Sequence, residues 1–100
     1  MKGSEKQIVW AEKLKADVIN TIDAMNSMAK SDPRYEANKA RVDAMVTMWE
    51  TRKTYLSNCN SADFIIDFFR GFSASGNLSE DIRSLQSCYK VHANNGYAFK

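Results

Sequence analysis

A single proline and four glycines punctuate this chain of 100 residues. None of them falls between Ser4 and Ser31, and none between Arg34 and Arg70. Gly and Pro are the strongest local punctuation a backbone has. Their scarcity favours long helices over many short strands joined by turns. The length suits one domain with one modest core. Hydrophobic residues at 44% and charged residues at 26% match a folded globular chain and not a disordered one.

The segment GSEKQIVWAEKLKADVI, Gly3 to Ile19, carries a complete helix start. Ser4 is a capping residue, and Gln7 three positions later can reach back to it, the S-x-x-Q capping box. Glu5 suits the positive end of the helix. Ile8, Ala11, Leu14, Val18, Ile22 and Met25 then recur at helical spacing and predict one core-facing stripe, flanked by Trp10 and Met28, with Val9 pointing away.

Ser31-Asp32-Pro33 ends that run. Asp32 reads as the next N-cap with Pro33 at the first helical position, where a missing N–H costs nothing. A second helix is expected from Pro33 to about Leu56. Its main stripe is Tyr35, Val42, Met45, Val46, Trp49 and Leu56. A smaller stripe, Ala37, Ala44, Met48 and Tyr55, lies on another face, as in a helix set between two neighbours. The short link makes the first two helices an antiparallel hairpin.

Ser57 to Ser61 reads as a polar loop. Ser61 or Asn60 caps a short third helix, ADFIIDFFR, with Gly71 as its C′ residue. Phe64, Ile65, Phe68, Phe69 and Phe72 form the densest apolar patch of the chain. A fourth helix is expected from Ser79, with Ile82, Leu85, Tyr89 and His92 on one face and a stop at Asn94-Asn95-Gly96. A small hairpin pairing Tyr89–Ala93 with Tyr97–Phe99 across Asn-Gly is the alternative there.

The net charge of +2 is spread along the chain. A pI of about 8.6 falls short of the basic face expected of a strong phosphate binder. No charged start followed by an apolar run reads as a signal peptide, and no apolar stretch is long enough for a membrane span. The expected location is cytoplasmic, where Cys59 and Cys88 stay reduced. Neither belongs to a C-x-x-C, so no zinc site is expected.

Chemical constellations are sparse. Cys88 lies four residues before His92, the only histidine, and such a pair can in principle activate a thiolate; a half-buried His beside a small apolar Cys is the more ordinary arrangement. Asp63 and Asp67 share a face, but a hard cation wants more oxygen ligands, and Arg70 can pair with Asp67. No glycine-rich phosphate cradle is present. No catalytic residue, cofactor or metal is therefore assigned.

Two surfaces on the second helix remain. Arg34, Arg41 and Arg52 follow one edge between its apolar stripes, the best lead for nucleic acid, although Glu36, Asp43 and Glu50 share the helix. Met48 and Tyr55, with Arg41 and Arg52 beside them, are the candidates for contact with a protein partner. The minor stripe also leaves a homodimer open.

The opening segment resembles one found in small bacterial and phage proteins of unknown function, with the pattern G-S-x-K-Q-I-x-W-A-E-x-I/L. Gly3, Ser4, Lys6, Gln7, Ile8, Trp10, Ala11, Glu12 and Leu14 match it. Those proteins carry a second tryptophan patch ending in arginine, similar to WWIDxR. Met48-Trp49-Glu50-Thr51-Arg52 stands in its place, with Met for the first Trp and Glu-Thr for the Ile-Asp region. The resemblance covers Gly3 to Arg52 and implies a phage or mobile-element setting, not an activity. Read as packing chemistry, the two patches predict that Trp10 meets Trp49 and that Glu12 pairs with Arg52.

Together these readings predict an all-α single domain: a long antiparallel helical hairpin with two shorter helices packed on it. The expected function is a non-enzymatic protein-binding module docking on a larger host protein, such as a defence or replication complex. Nucleic-acid binding through the arginine edge is the alternative.

Overall fold

The computed structural model describes residues 1–94. Four α-helices follow one another: α1 (Glu5–Ser31), α2 (Lys39–Asn58), α3 (Ala62–Phe68) and α4 (Leu78–Asn94). Among the described residues there is no strand, and a lone bridge joins Lys2 to Ser61. The fold is all-α, as the scarcity of chain breakers predicts.

The start of α1 is built as its sequence dictates. The Gln7 N–H donates to Ser4 Oγ at 3.2 Å, and the Ser4 N–H donates to Gln7 Oε1 at 2.9 Å. Two of the orphan donors at the helix end are thereby satisfied. Just upstream, the Lys2 N–H donates to the Asn60 carbonyl and the Ala62 N–H donates to the Lys2 carbonyl, both at 2.8 Å. This clasp ties the chain start to the α2–α3 loop. Gly3 sits in it at φ 145°, and a Cβ there would stand 2.8 Å from the Ala62 Cβ. Only glycine fits that backbone and that approach.

α1 is the hub of the molecule and touches α2, α3 and α4. Its predicted stripe faces inward: Ala11, Val18 and Ile22 are completely buried, Leu14 and Met25 nearly so, and Ile8 half-buried. Val9, as expected, points to solvent. Against α2, the Asn26 Nδ2 donates to Glu50 Oε1 at 3.0 Å, Lys53 Nζ to Asp23 Oδ1 at 2.6 Å, and Lys15 Nζ to the Cys59 carbonyl at 2.9 Å. Earlier residues of α1 meet later residues of α2, the sense of an antiparallel pair. Lys15 also neutralises the negative end of α2.

The second helix starts later than Pro33. Asp32 spends its carboxylate on a turn, accepting the Arg34 N–H at 2.8 Å and the Arg34 guanidinium at 3.0–3.1 Å. Glu36–Asn38 then form a 3₁₀ turn, and Asn38 donates from Nδ2 to the Arg34 carbonyl at 3.1 Å. Asn38 itself leaves helical geometry at φ −124°, ψ 24°, so α2 begins at Lys39. Tyr35 fastens this turn to α2 through a 2.6 Å bond from its hydroxyl to Asp43.

The remaining ends follow local chemistry with two changes. Ser61 caps α3 by accepting the Phe64 N–H at 3.3 Å. Gly71 is not a left-handed C′ residue: positive φ occurs only at Gly3 and Gly76 among the described residues. The chain instead tightens through the Phe69 N–H to Ile65 and the Phe72 N–H to Phe69. α4 starts one residue early, with Asn77 Oδ1 accepting the Glu80 N–H at 3.3 Å. Asp81 is buried, and it accepts both the Ser75 N–H at 2.9 Å and the Ser75 hydroxyl at 2.8 Å, which staples the α3–α4 loop. Tyr89–Ala93 is helical; the Asn95-Gly96 stop and the Tyr97–Phe99 strand of the alternative hairpin lie outside the described residues.

The core gathers the α1 stripe, Trp49 and Leu56 of α2, and the phenylalanines of α3 with Leu85 and Tyr89 of α4. The Phe68 ring meets Tyr89 edge-on at 4.9 Å. Burying each such large side chain contributes about 1.5–3 kcal/mol, so the α3 cluster anchors α4. The two-tryptophan seam does not form. Trp10 is 52% exposed, whereas Trp49 is 2% exposed and takes Tyr89 as its ring neighbour. Glu12 is exposed, and Arg52 has no ion-pair partner among the described residues.

Candidate functional site

α2 and α4 share no close backbone approach: no Cα of one lies within 8 Å of a Cα of the other. What closes the space between them is side chains. From α2 come Met45, Met48, Trp49 and Arg52; from α4 come Gln86, Tyr89, Lys90 and Ala93. Each set repeats at i, i+3, i+4 and i+7, so each is one face of its helix. The two faces look at each other across an open groove of about 340 Å³.

The groove floor is aromatic. Trp49 and Tyr89 meet at 5.3 Å between centroids with planes at 85°, the edge-to-face arrangement favoured by ring quadrupoles. The Arg52 guanidinium lies over both rings, its Cζ 4.5 Å from the Trp49 centroid and 4.3 Å from the Tyr89 centroid. Ring faces attract a cation and tolerate its partial desolvation. Burial nonetheless pulls the Arg52 pKa below its ordinary value, and the Tyr89 ring close by only partly offsets this.

Tyr89 pulls the other way. Burial pushes its phenol well above the usual tyrosine range. Its hydroxyl is shielded from solvent and has no hydrogen-bond partner among the described residues. A buried hydroxyl without a partner costs about 1–3 kcal/mol. Met48 stands at the rim, 42% exposed, and Lys90 is exposed on the opposite rim. No carboxylate lines the groove; Glu50, on the other side of α2, is held by Asn26 and Lys53.

Of the partner-contact residues read from the sequence, the groove brings Met48 and Arg52 together. Tyr55 is exposed, 46%, but is not among the groove-lining residues. Arg41 lines a separate depression of about 290 Å³ near the α1–α2 turn, with Arg34, Asp32 and Tyr35. There Arg34 is engaged with Asp32, whose carboxyl that contact holds down at about 2. The arginine edge is therefore split: Arg34 is paired, Arg41 is exposed, and Arg52 is turned onto the aromatic floor. Tyr89, Lys90 and Gln86 belong to the groove and were not singled out from sequence. Their i, i+3, i+4 spacing is the signal they carry, but nothing local says that this face looks at α2.

The His92 ring of the cysteine–histidine pair is engaged by Phe68. The His92 ring stacks on Phe68 at 4.3 Å and 14°, and its Nε2 stands 3.1 Å from the Phe68 carbonyl, a distance at which it donates. Burial raises the Cys88 thiol, the opposite of what an activated thiolate needs. Asp63 and Asp67 are both exposed, and Arg70 stands 3.9 Å from Asp67. Among the described residues no three acidic, cysteine or histidine side chains gather as a metal site, and no helix is long and apolar enough to cross a membrane. No protein-family model, no curated protein and no solved structure matches this chain.

Proposed function

We propose that this chain is a non-enzymatic protein-binding module, encoded by a phage or mobile element, that docks on a larger host protein such as a defence or replication complex. The observation that carries the reading is the α2/α4 groove. It combines an adaptable Met48 rim with a half-buried Arg52 that has no ion-pair partner among the described residues. Aromatic residues, Met and Arg are the side chains enriched at protein interfaces, and Trp, Tyr and Arg dominate their energetics.

The alternative is nucleic-acid binding through Arg34, Arg41 and Arg52. The exposed guanidinium of Arg41 is the feature in its favour. The test is a tagged pull-down from bacterial lysate, with and without nuclease, using the natural chain and the Met48→Lys variant. A stoichiometric protein that survives nuclease and is lost with Met48→Lys supports the module. Capture that vanishes with nuclease, and that weakens with salt as displaced counterions require, favours the alternative.

A further inference from the structure

We propose that the α2/α4 groove receives an amphipathic helical segment of the partner, whose apolar face lies along Met45, Met48 and Ala93 above the buried Trp49–Tyr89 pair and whose acidic side chain pairs with Arg52. This rests on the binding-module reading and adds the chemistry of the partner. Two features select that occupant.

The first is shape. Two helix faces stand apart with no Cα approach within 8 Å, and a groove of about 340 Å³ lies between them. A third helix fits such a trough, reading it through residues at i, i+3, i+4 and i+7. The stretch from Met45 to Arg52 is about 10 Å long at 1.5 Å per residue, which two or three turns of a partner helix would cover.

The second is charge. The ionised groups on the groove wall are Arg52 and Lys90, both positive, with no acidic residue among the lining side chains. The Arg52 Cζ lies 4.5 Å from the Trp49 ring centroid and 4.3 Å from that of Tyr89. No ion pair engages its donors among the described residues, and a carboxylate can accept two of them side by side.

The test starts from a random peptide display library panned on the full chain. Enriched peptides are synthesised and titrated against the natural protein, Arg52→Gln and Lys90→Glu. The two tryptophans supply an internal reference: Trp49 is in the groove and Trp10 is not among its lining residues. Expected are peptides with Asp or Glu among apolar residues at helical spacing, which shift the Trp49 indole N–H resonance and leave that of Trp10 in place. Arg52→Gln should weaken them by about tenfold or more. Lys90 is exposed, so Lys90→Glu should fold normally and weaken them several-fold, increasingly so at low salt.

The inference is overturned if panning yields no binders or binders without acidic residues, or if both variants keep full affinity. It is overturned too if the Trp49 resonance does not move. The two readings fail separately. A nuclease-resistant partner that still binds Arg52→Gln and Lys90→Glu would leave the module standing and remove the acidic helix. Absence of any such partner in the pull-down would remove the module itself.

Discussion

The Arg52 guanidinium lies 4.3 Å from the centroid of the Tyr89 ring, and with the edge-on contact of Trp49 this bridges two helices whose backbones stay apart. The contact should therefore be felt in stability. Replacing Arg52 by Ala removes a cation over two rings and the packing of its stem, a loss of about 1 kcal/mol. Arg52→Lys should lie between, because lysine keeps the charge but not the broad, weakly hydrated guanidinium. Arg41→Ala, at an exposed position, should change little. Urea unfolding of the three variants checks the order.

The tryptophans should differ sharply. Trp49 is 2% exposed and Trp10 52% exposed. Trp49→Ala leaves a large cavity and should cost about 3–5 kcal/mol. Trp10→Ala should cost less than about 1 kcal/mol. Thermal melts of both decide it, and a steep loss at Trp10 would show that its exposed ring is held by contacts of its own.

Gly3→Ala tests the clasp. The new methyl would meet the Ala62 Cβ at 2.8 Å, on a backbone at φ 145°. Strain of about 1–3 kcal/mol is expected, and it should release the chain start before the core. Hydrogen exchange at the Lys2 and Ala62 amides, bonded across the clasp, should speed up more than exchange at Val18 or Ile22.

Tyr89 predicts an alkaline weakness. Burial raises its phenol above the ordinary value of 10.0, so above about pH 10 the unfolded chain gives up this proton before the folded one. The unfolded state then binds fewer protons, and stability falls as pH rises. Below pH 10 the contribution is constant. Tyr89→Phe should flatten that alkaline limb. It should cost little at neutral pH, because it deletes a hydroxyl that has no partner among the described residues. Melting temperatures from pH 7 to 11 for both proteins provide the comparison.

The thiols should separate cleanly as well. Cys59 is half-buried, while Cys88 is buried with its thiol pushed up by that burial. Iodoacetamide on the native protein at pH 8 should label Cys59 first, with Cys88 following only slowly. Mass spectrometry of time points reads the ratio.

Much of the fold was legible in the chain because it is written locally. A capping box needs only Ser4 and Gln7, and the α1 stripe needs only a repeat of 3.6 residues; both appear as read. Errors fell where a local signal had two uses. Asp32 can cap a helix or close a turn on Arg34, and the bidentate contact with Arg34 decided for the turn, so α2 began at Lys39 and not Pro33. Gly71 can take a left-handed cap, but the Phe69–Phe72 turn made that unnecessary. Asp81 reads as an ordinary acidic first-turn residue, and nothing nearby says that Ser75 will fold back onto it.

The candidate site was legible by halves. Met48 and Arg52 lie four residues apart on one face of one helix, so spacing could nominate them. Tyr55 and Arg41 were nominated by the same reasoning and stand elsewhere. Tyr89 and Lys90 could not be joined to Arg52 by any periodicity, because they belong to another helix whose place depends on docking.

The sequence by itself determined the helices, most of their caps and the inward face of α1, since these depend on hydrogen bonds and spacing within a turn or two. Only the tertiary structure decided that Trp49 would turn to Tyr89 and leave Trp10 in solvent, and that Arg52 would lie on an aromatic floor between α2 and α4. Those outcomes depend on which apolar faces bury one another when the α3 phenylalanines anchor α4 against α1. Burial of apolar area has no direction along the chain, so no local pattern can announce it.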